Sequence, residues 1–162
     1  MKTLLFIAAG LMAGSAMALT TGTLDISGTV APISILEITP NTVTQNSFSI
    51  VSTQTDVNVA SVYEESNSAT GYRIMMSSAQ SSRLQLNRLS LNPNPAHSVP
   101  YTVKYDGVLT PALTPVPVQV KTSTTLGLAW DTSPVSVSVT GFGSTAPAGT
   151  YSDVITISIE NN

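Results

Sequence analysis

The sequence predicts an all-β protein, and three observations carry that prediction. Charged residues make up only 9% of the 162 residues while hydrophobic residues reach 42%, and Thr, Ser, Val, Ile and Asn supply most of the rest, a composition suited to strands and turns. Apolar residues recur at every second position in short runs bounded by Gly, Pro and Asn, as half-buried strands require. Beyond the N-terminal leader, no segment shows a convincing 3.6-residue period. About eight short strands at intervals of about 8–12 residues suit one sandwich or barrel, and the length favours one domain.

The elements follow in order. Met1-Lys2 is a positive start, Leu4 through Leu11 a short apolar run, and Ala16-Met17-Ala18 a small-x-small site. This pattern predicts a signal peptide over 1–18, cut between Ala18 and Leu19. A membrane anchor would need about 20 apolar residues, more than this run has. Thr23 to Val30 then alternates, with Leu24, Ile26 and Val30 on one parity around Gly28 and polar Asp25, Ser27 and Thr29 on the other. It reads as a strand with one apolar edge.

After Pro32, Ile33 and Ile35 share a parity and Leu36 and Ile38 take the other, as a bulge or change of sheet would produce. Pro40-Asn41 ends the run. Phe48-Ser49-Ile50 and Asp56-Val57-Asn58-Val59 are the next alternating stretches, and Glu64 to Ser68 reads as a solvated loop. Tyr72, Ile74 and Met76 share a face. Leu84 with Leu86, and Leu89 with Leu91, are short apolar pairs before the turn-rich Asn92-Pro93-Asn94-Pro95.

Val99 to Tyr105 alternates, and Asp106-Gly107 marks a type I′ hairpin because both residues tolerate positive φ. Pro100 lacks a donor N–H, so its strand should lie at an edge or begin there. Pro115 and Pro117 argue for an edge in the run Val116, Val118, Val120. Leu126, Leu128 and Trp130 precede Asp131, and Val135, Val137 and Val139 alternate with serines. Ala146 to Tyr151 turns into a last strand of Ile155, Ile157 and Ile159, soon after which the sequence closes.

Signs of chemistry are sparse. The formal charge of −3 offers no basic patch for nucleic acid. There is no cysteine, hence no disulfide and no thiol chemistry, and one histidine, His97, in a Pro95-Ala96-His97-Ser98 loop. A zinc site would have to be mainly carboxylate, and a Ser-His-Asp triad would need a carboxylate to orient His97. Adjacent Glu64 and Glu65 point to opposite faces in a strand, so they make a poor glycosidase pair. Asp106-Gly107 is explained by the hairpin without calcium, and Gly141-Phe142-Gly143 precedes no helix and is no nucleotide loop. Trp130, Tyr63, Tyr72, Tyr101 and Tyr105 could include a sugar platform, though alternating strand aromatics are more often core. No cofactor, metal or enzymatic activity is expected.

Two stretches carry a resemblance. Leu24-Asp25-Ile26-Ser27-Gly28-Thr29-Val30-Ala31-Pro32-Ile33-Ser34-Ile35 looks like the N-terminal extension and first body strand of pilin subunits of the Gram-negative chaperone–usher pathway. Ala148-Gly149-Thr150-Tyr151, with the strand to Ile159, is similar to the turn and terminal strand of those subunits. The hairpin Val99 to Gly107 is a weaker match. Many pilins carry a disulfide near their first strands, so the absence of cysteine points to a Cys-free branch resembling colonisation-factor or spore-coat-U-like pilins.

The resemblance implies an incomplete immunoglobulin-like sandwich over 29–162, completed by a donor strand from another subunit, with 19–28 as the N-terminal extension. It implies donor residues Leu24, Ile26, Gly28 and Val30. It also implies an acceptor groove flanked by Ile33 and Ile35 on one side and Ile155, Ile157 and Ile159 on the other. The implied partners are neighbouring pilin subunits, a periplasmic chaperone, an outer-membrane usher and a host-surface receptor. The expected location is an extracellular adhesive fimbria reached through the periplasm. Two other readings stand beside it: a minor or tip subunit binding a host glycan or protein, and a self-contained secreted β-sandwich that binds a ligand or acts as a hydrolase.

Overall fold

A computed structural model describes residues 24–41, 49–86, 98–145 and 147–162. The chain divides into two units, Met1–Val30 and Ala31–Asn162. Ala18, Leu19, Phe48, Leu89, Leu91, Asn92–Pro95, His97 and Ala146 lie outside the described residues. Among those described, no helix is long and apolar enough to cross a membrane.

Ala31–Asn162 is built from antiparallel strands: β1 (Ser34–Pro40), β2 (Gln54–Ser66), β3 (Tyr72–Ser78), β4 (Arg83–Leu86), β5 (Ser98–Tyr105), β6 (Val108–Leu109), β7 (Val118–Ser123), β8 (Ala129–Val139), β9 (Tyr151–Ser152) and β10 (Ile155–Asn161). The larger sheet runs β1-β2-β8-β5-β4-β9, with β6 beside β5, and the smaller runs β10-β3-β7. Val62, Val103, Tyr105 and Val137 from the larger sheet share one buried cluster with Tyr72, Ile74 and Met76 from the smaller. Two sheets packed through their apolar faces make this an all-β sandwich.

Local chemistry explains the main features. Asp106 and Gly107 adopt φ of 52° and 75° between β5 and β6, which is the backbone a type I′ turn demands. The edge position predicted from Pro115 and Pro117 holds, because β7 ends the smaller sheet. Gly71 turns the chain into β3 at φ +85°, and a Cβ there would meet the Ser123 carbonyl oxygen at 2.1 Å. Only glycine fits.

Several expectations are corrected. Glu64, Glu65 and Ser66 are the end of the long strand β2, not a loop, and Glu64 and Ser66 are buried. Phe48-Ser49-Ile50 gives no strand over its described residues, Ser49 and Ile50. β5 is interior, flanked by β8 and β4, with Pro100 near its start. Trp130 lies in β8 but is exposed, unlike Tyr72, Tyr101 and Tyr105. The parity change from Ile35 to Leu36 is no bulge, since β1 pairs β2 without a break from Ser34↔Ser66 to Pro40↔Ala60.

Leu24–Val30, taken by itself, carries no strand. Leu24, Ile26 and Val30 are 84%, 86% and 83% exposed. An alternating sequence is only half of a strand, because the other half is a ladder partner. This segment has the pattern and no ladder.

Candidate functional site

Sheet register decides which side chains face the core. Opposed residues of an antiparallel pair project on the same face. On β2 the inward residues are Ala60, Val62, Glu64 and Ser66, all buried. Their partners on β1 are Pro40, Ile38, Leu36 and Ser34. Leu36 and Ile38 therefore face the core, and Ile35 lies on the outer face. On β10, Ile155, Ile157 and Ile159 stand opposite Ser78, Met76 and Ile74, each fully buried, so these three isoleucines face inward.

Among the described residues, β1 pairs only with β2 and β10 only with β3, so each leaves one edge of its backbone unpaired. Their inward aliphatics are incompletely covered. Leu36, Ile155, Ile157 and Ile159 pack against the core while only partly buried, and Ile38 is 46% exposed. Among the described residues, a core lined in this way on two unpaired edges lacks cover along one side.

Both ends of this side are pinned by hydrogen bonds. At one end, the hydroxyls of Ser34 and Ser66 each donate to Asn161 Oδ1 at 3.2 Å, tying the start of β1 to the end of β10. The Asn162 carboxamide donates to the carbonyls of Tyr72 and Ser123 at 3.4 and 3.1 Å. At the other end, Asp153 precedes β10 and accepts from Ser78 Oγ and Tyr101 OH, both at 2.6 Å, and from the Gln80 amide at 3.0 Å. Burial, then the bond to Asp153, pushes the Tyr101 phenol well above its usual range. Here a cleft of about 500 Å³ opens, lined by Ile50, Val59, Leu84, Tyr101, Val137 and Ile155 along with the Gly149–Asp153 segment that holds β9.

A second cluster was not foreseen from the sequence. The Glu64 carboxylate is fully buried and accepts from Tyr105 OH at 2.6 Å and Ser133 Oγ at 2.8 Å. Lys121 of β7 reaches across from the smaller sheet, 3.2 Å from Glu64 Oε2 and 2.6 Å from Asp131 Oδ2. Burial pulls the Lys121 ammonium down, but its bonds to Asp131 and the charge of Glu64 outweigh that and hold it above its ordinary value. Burial first, and Glu64 next, raise the Tyr72 and Tyr105 phenols. This cluster ties the sheets together. The sequence signal was the parity of Glu64 with Ala60 and Val62, which marks it as inward-facing.

No described group of three or more His, Asp or Glu is placed to hold a metal ion. Comparison with family models finds no match, and comparison with curated proteins finds none. Among solved structures, the chain is similar to the CooA pilin subunit from enterotoxigenic Escherichia coli, at 15% identity and a TM-score of 0.39. That similarity covers 77% of this chain and 86% of the other.

Proposed function

We propose that this chain is a structural pilin subunit, joined to its neighbours by lending Leu24–Val30 as a strand to the uncovered side of the next copy's sandwich. One observation carries the reading: Ile38, on an edge strand, faces the core by register and yet is 46% exposed. The inward isoleucines of β10 share that partial cover. An unpaired edge is a template for strand addition, with main-chain bonds giving affinity and alternate side chains giving register. The donor is Leu24, Ile26, Gly28 and Val30. The acceptor residues are Leu36 and Ile38 on β1 and Ile155, Ile157 and Ile159 on β10. Ile35 is on the opposite face of β1, and with Ile33 it is left to another role.

Burying Leu24, Ile26 and Val30 would contribute roughly 1.5–3 kcal/mol each before any ladder bonds. Strand docking that completes a core can unfold very slowly, which suits a fibre without disulfides. In this reading residues 1–18 direct export, 19–28 form the extension and 29–162 the body. A periplasmic chaperone covers the groove until an outer-membrane usher exchanges it for the next subunit, and the product is a surface fimbria.

Deletion of Leu19–Gly28 tests the reading. The truncated body still accepts a donor strand but does not extend a fibre when chaperone and usher are present. Fibres of wild-type length from the truncated chain would refute it.

A further inference from the structure

The outer face of the larger sheet carries an apolar row that strand donation does not use. Ile35, Glu65 and Trp130 stand side by side across β1, β2 and β8. Trp130 is 69% exposed, Leu128 two residues earlier is 63% exposed, and Ile33 and Ile35 are exposed as well. Tyr63, next along β2 on this face, donates its hydroxyl to Glu65 Oε2 at 2.5 Å and stands opposite Glu37. Glu65 therefore separates two exposed apolar pairs, Ile33 with Ile35 on the β1 side and Leu128 with Trp130 on the β8 side, and exposed apolar residues grouped in this way on one face mark a contact surface.

We propose that Ile33, Ile35, Leu128 and Trp130 form a second contact between successive copies, made with the body of the subunit that accepts this chain's Leu24–Val30. The proposal rests on the strand-donation reading. Its argument is reach. Only Ala31 and Pro32 separate Val30 from Ile33, and three Cα steps span at most about 10 Å. Wherever Val30 is seated, the accepting body must therefore begin within that distance of Ile33. Pro32 fixes its own φ and stiffens the connection further. Trp130 lies two strand spacings from Ile35, about another 10 Å. The accepting body is thus held beside Ile33, at the corner of this face, and the exposed apolar residues there give it something to rest on. Such a contact stops successive bodies swivelling about the linker and makes the fibre stiff.

An aromatic bordered by carboxylates is also a place where a glycan could stack, but the aliphatic residues of the row offer no partners to sugar hydroxyls. The test uses assembled fibres of the full chain carrying Trp130→Ser and, separately, Leu128→Ser, a position outside the strands. Both side chains are exposed, so folding is spared. The expected result is heat-stable multimers as in wild type and a fibre persistence length, measured by electron microscopy, reduced by about twofold or more. Unchanged stiffness with normal multimers overturns the contact. Unchanged stiffness with lost binding to immobilised glycans also overturns it and assigns the row to sugar. If wild type itself yields no heat-stable multimers, strand donation has failed, and this contact with it.

Discussion

Ile38 and Val62 stand directly across the β1–β2 ladder on the same face, yet Val62 has no exposed surface and Ile38 keeps 46%. Two neighbours at one level of one sheet should share one environment. They differ because Val62 is covered by the opposite sheet and the cover stops short of β1. The same shortfall recurs on β10, where Ile155, Ile157 and Ile159 face fully buried partners while remaining partly exposed themselves. Among the described residues, the sandwich is closed in its middle and open between β1 and β10.

The faces of β1 make the first prediction. Ile38→Ser and Ile157→Ser weaken binding of a peptide spanning Leu24–Val30 by about 10- to 100-fold, the loss expected when one isoleucine's burial is forfeited. Ile35→Ser leaves that affinity unchanged. Fluorescence titration of the labelled peptide distinguishes the two, and equal losses at Ile35 and Ile38 would contradict the register argument.

Gly28 makes the second. A Cβ at this position meets nothing within 4 Å in the single chain, so Gly28→Val is harmless to the free subunit. Strand donation expects it to fall where no side chain is accommodated, so that affinity of the substituted peptide drops by about tenfold or more. A Gly28→Val peptide that binds as well as wild type would remove Gly28 from the donor pattern.

Lys121 makes the third. It is the cation facing the fully buried Glu64 carboxylate, and removing one partner of a buried pair strands the other. Lys121→Met lowers the stability of the donor-complemented protein by about 3–5 kcal/mol in urea denaturation. Adding Glu64→Gln to Lys121→Met restores part of it. A single variant within the scatter of wild type would show that the cluster does not hold the sheets.

The pH profile makes the fourth. A hydrogen bond from Lys121, followed by one from the Thr132 amide, holds Asp131 below the ordinary 3.8, and a bond from Lys104 does the same for Asp56. A depressed carboxylate stabilises the fold above its unfolded value and loses that contribution as pH falls through its folded value. Stability therefore declines below pH 3.8, shallowly because both groups are open to solvent. Lys121 and the Tyr72, Tyr101 and Tyr105 phenols are raised. Their contribution is complete below the unfolded values of 10.0 and 10.5 and is lost as pH rises beyond them. Thermal melts across pH should show both limbs, and Asp131→Asn should soften the acid one and also the Lys121 share of the alkaline one, since Asp131 is one of the groups that raise Lys121.

Much of the fold was legible because alternation reports burial wherever one face is dry and the other wet. Tyr72, Ile74 and Met76 of β3 and Val135, Val137 and Val139 of β8 met that condition and are buried as their parity indicates. The Asp106-Gly107 turn was legible because few residue pairs accept two positive φ angles. β1 was not, because Ile33, Ile35, Leu36 and Ile38 make both of its faces apolar and periodicity cannot choose between them. The register with β2 does choose. Glu64 was missed for a different reason: a charge argues for solvent unless its partner is known, and Lys121 lies 57 positions away. Leu24–Val30 showed its pattern plainly, but a strand also needs a ladder, and the single chain gives it none.

The most direct measurement is amide hydrogen exchange on the chain from Leu19 onward, with and without one equivalent of a Leu24–Val30 peptide. Strand donation predicts new protection along the open edges of Ser34–Pro40 and Ile155–Asn161, with the centre of β8 unchanged. A chain that folds cooperatively as a monomer without peptide, and whose two edges exchange at the same rate in its presence, would contradict the account.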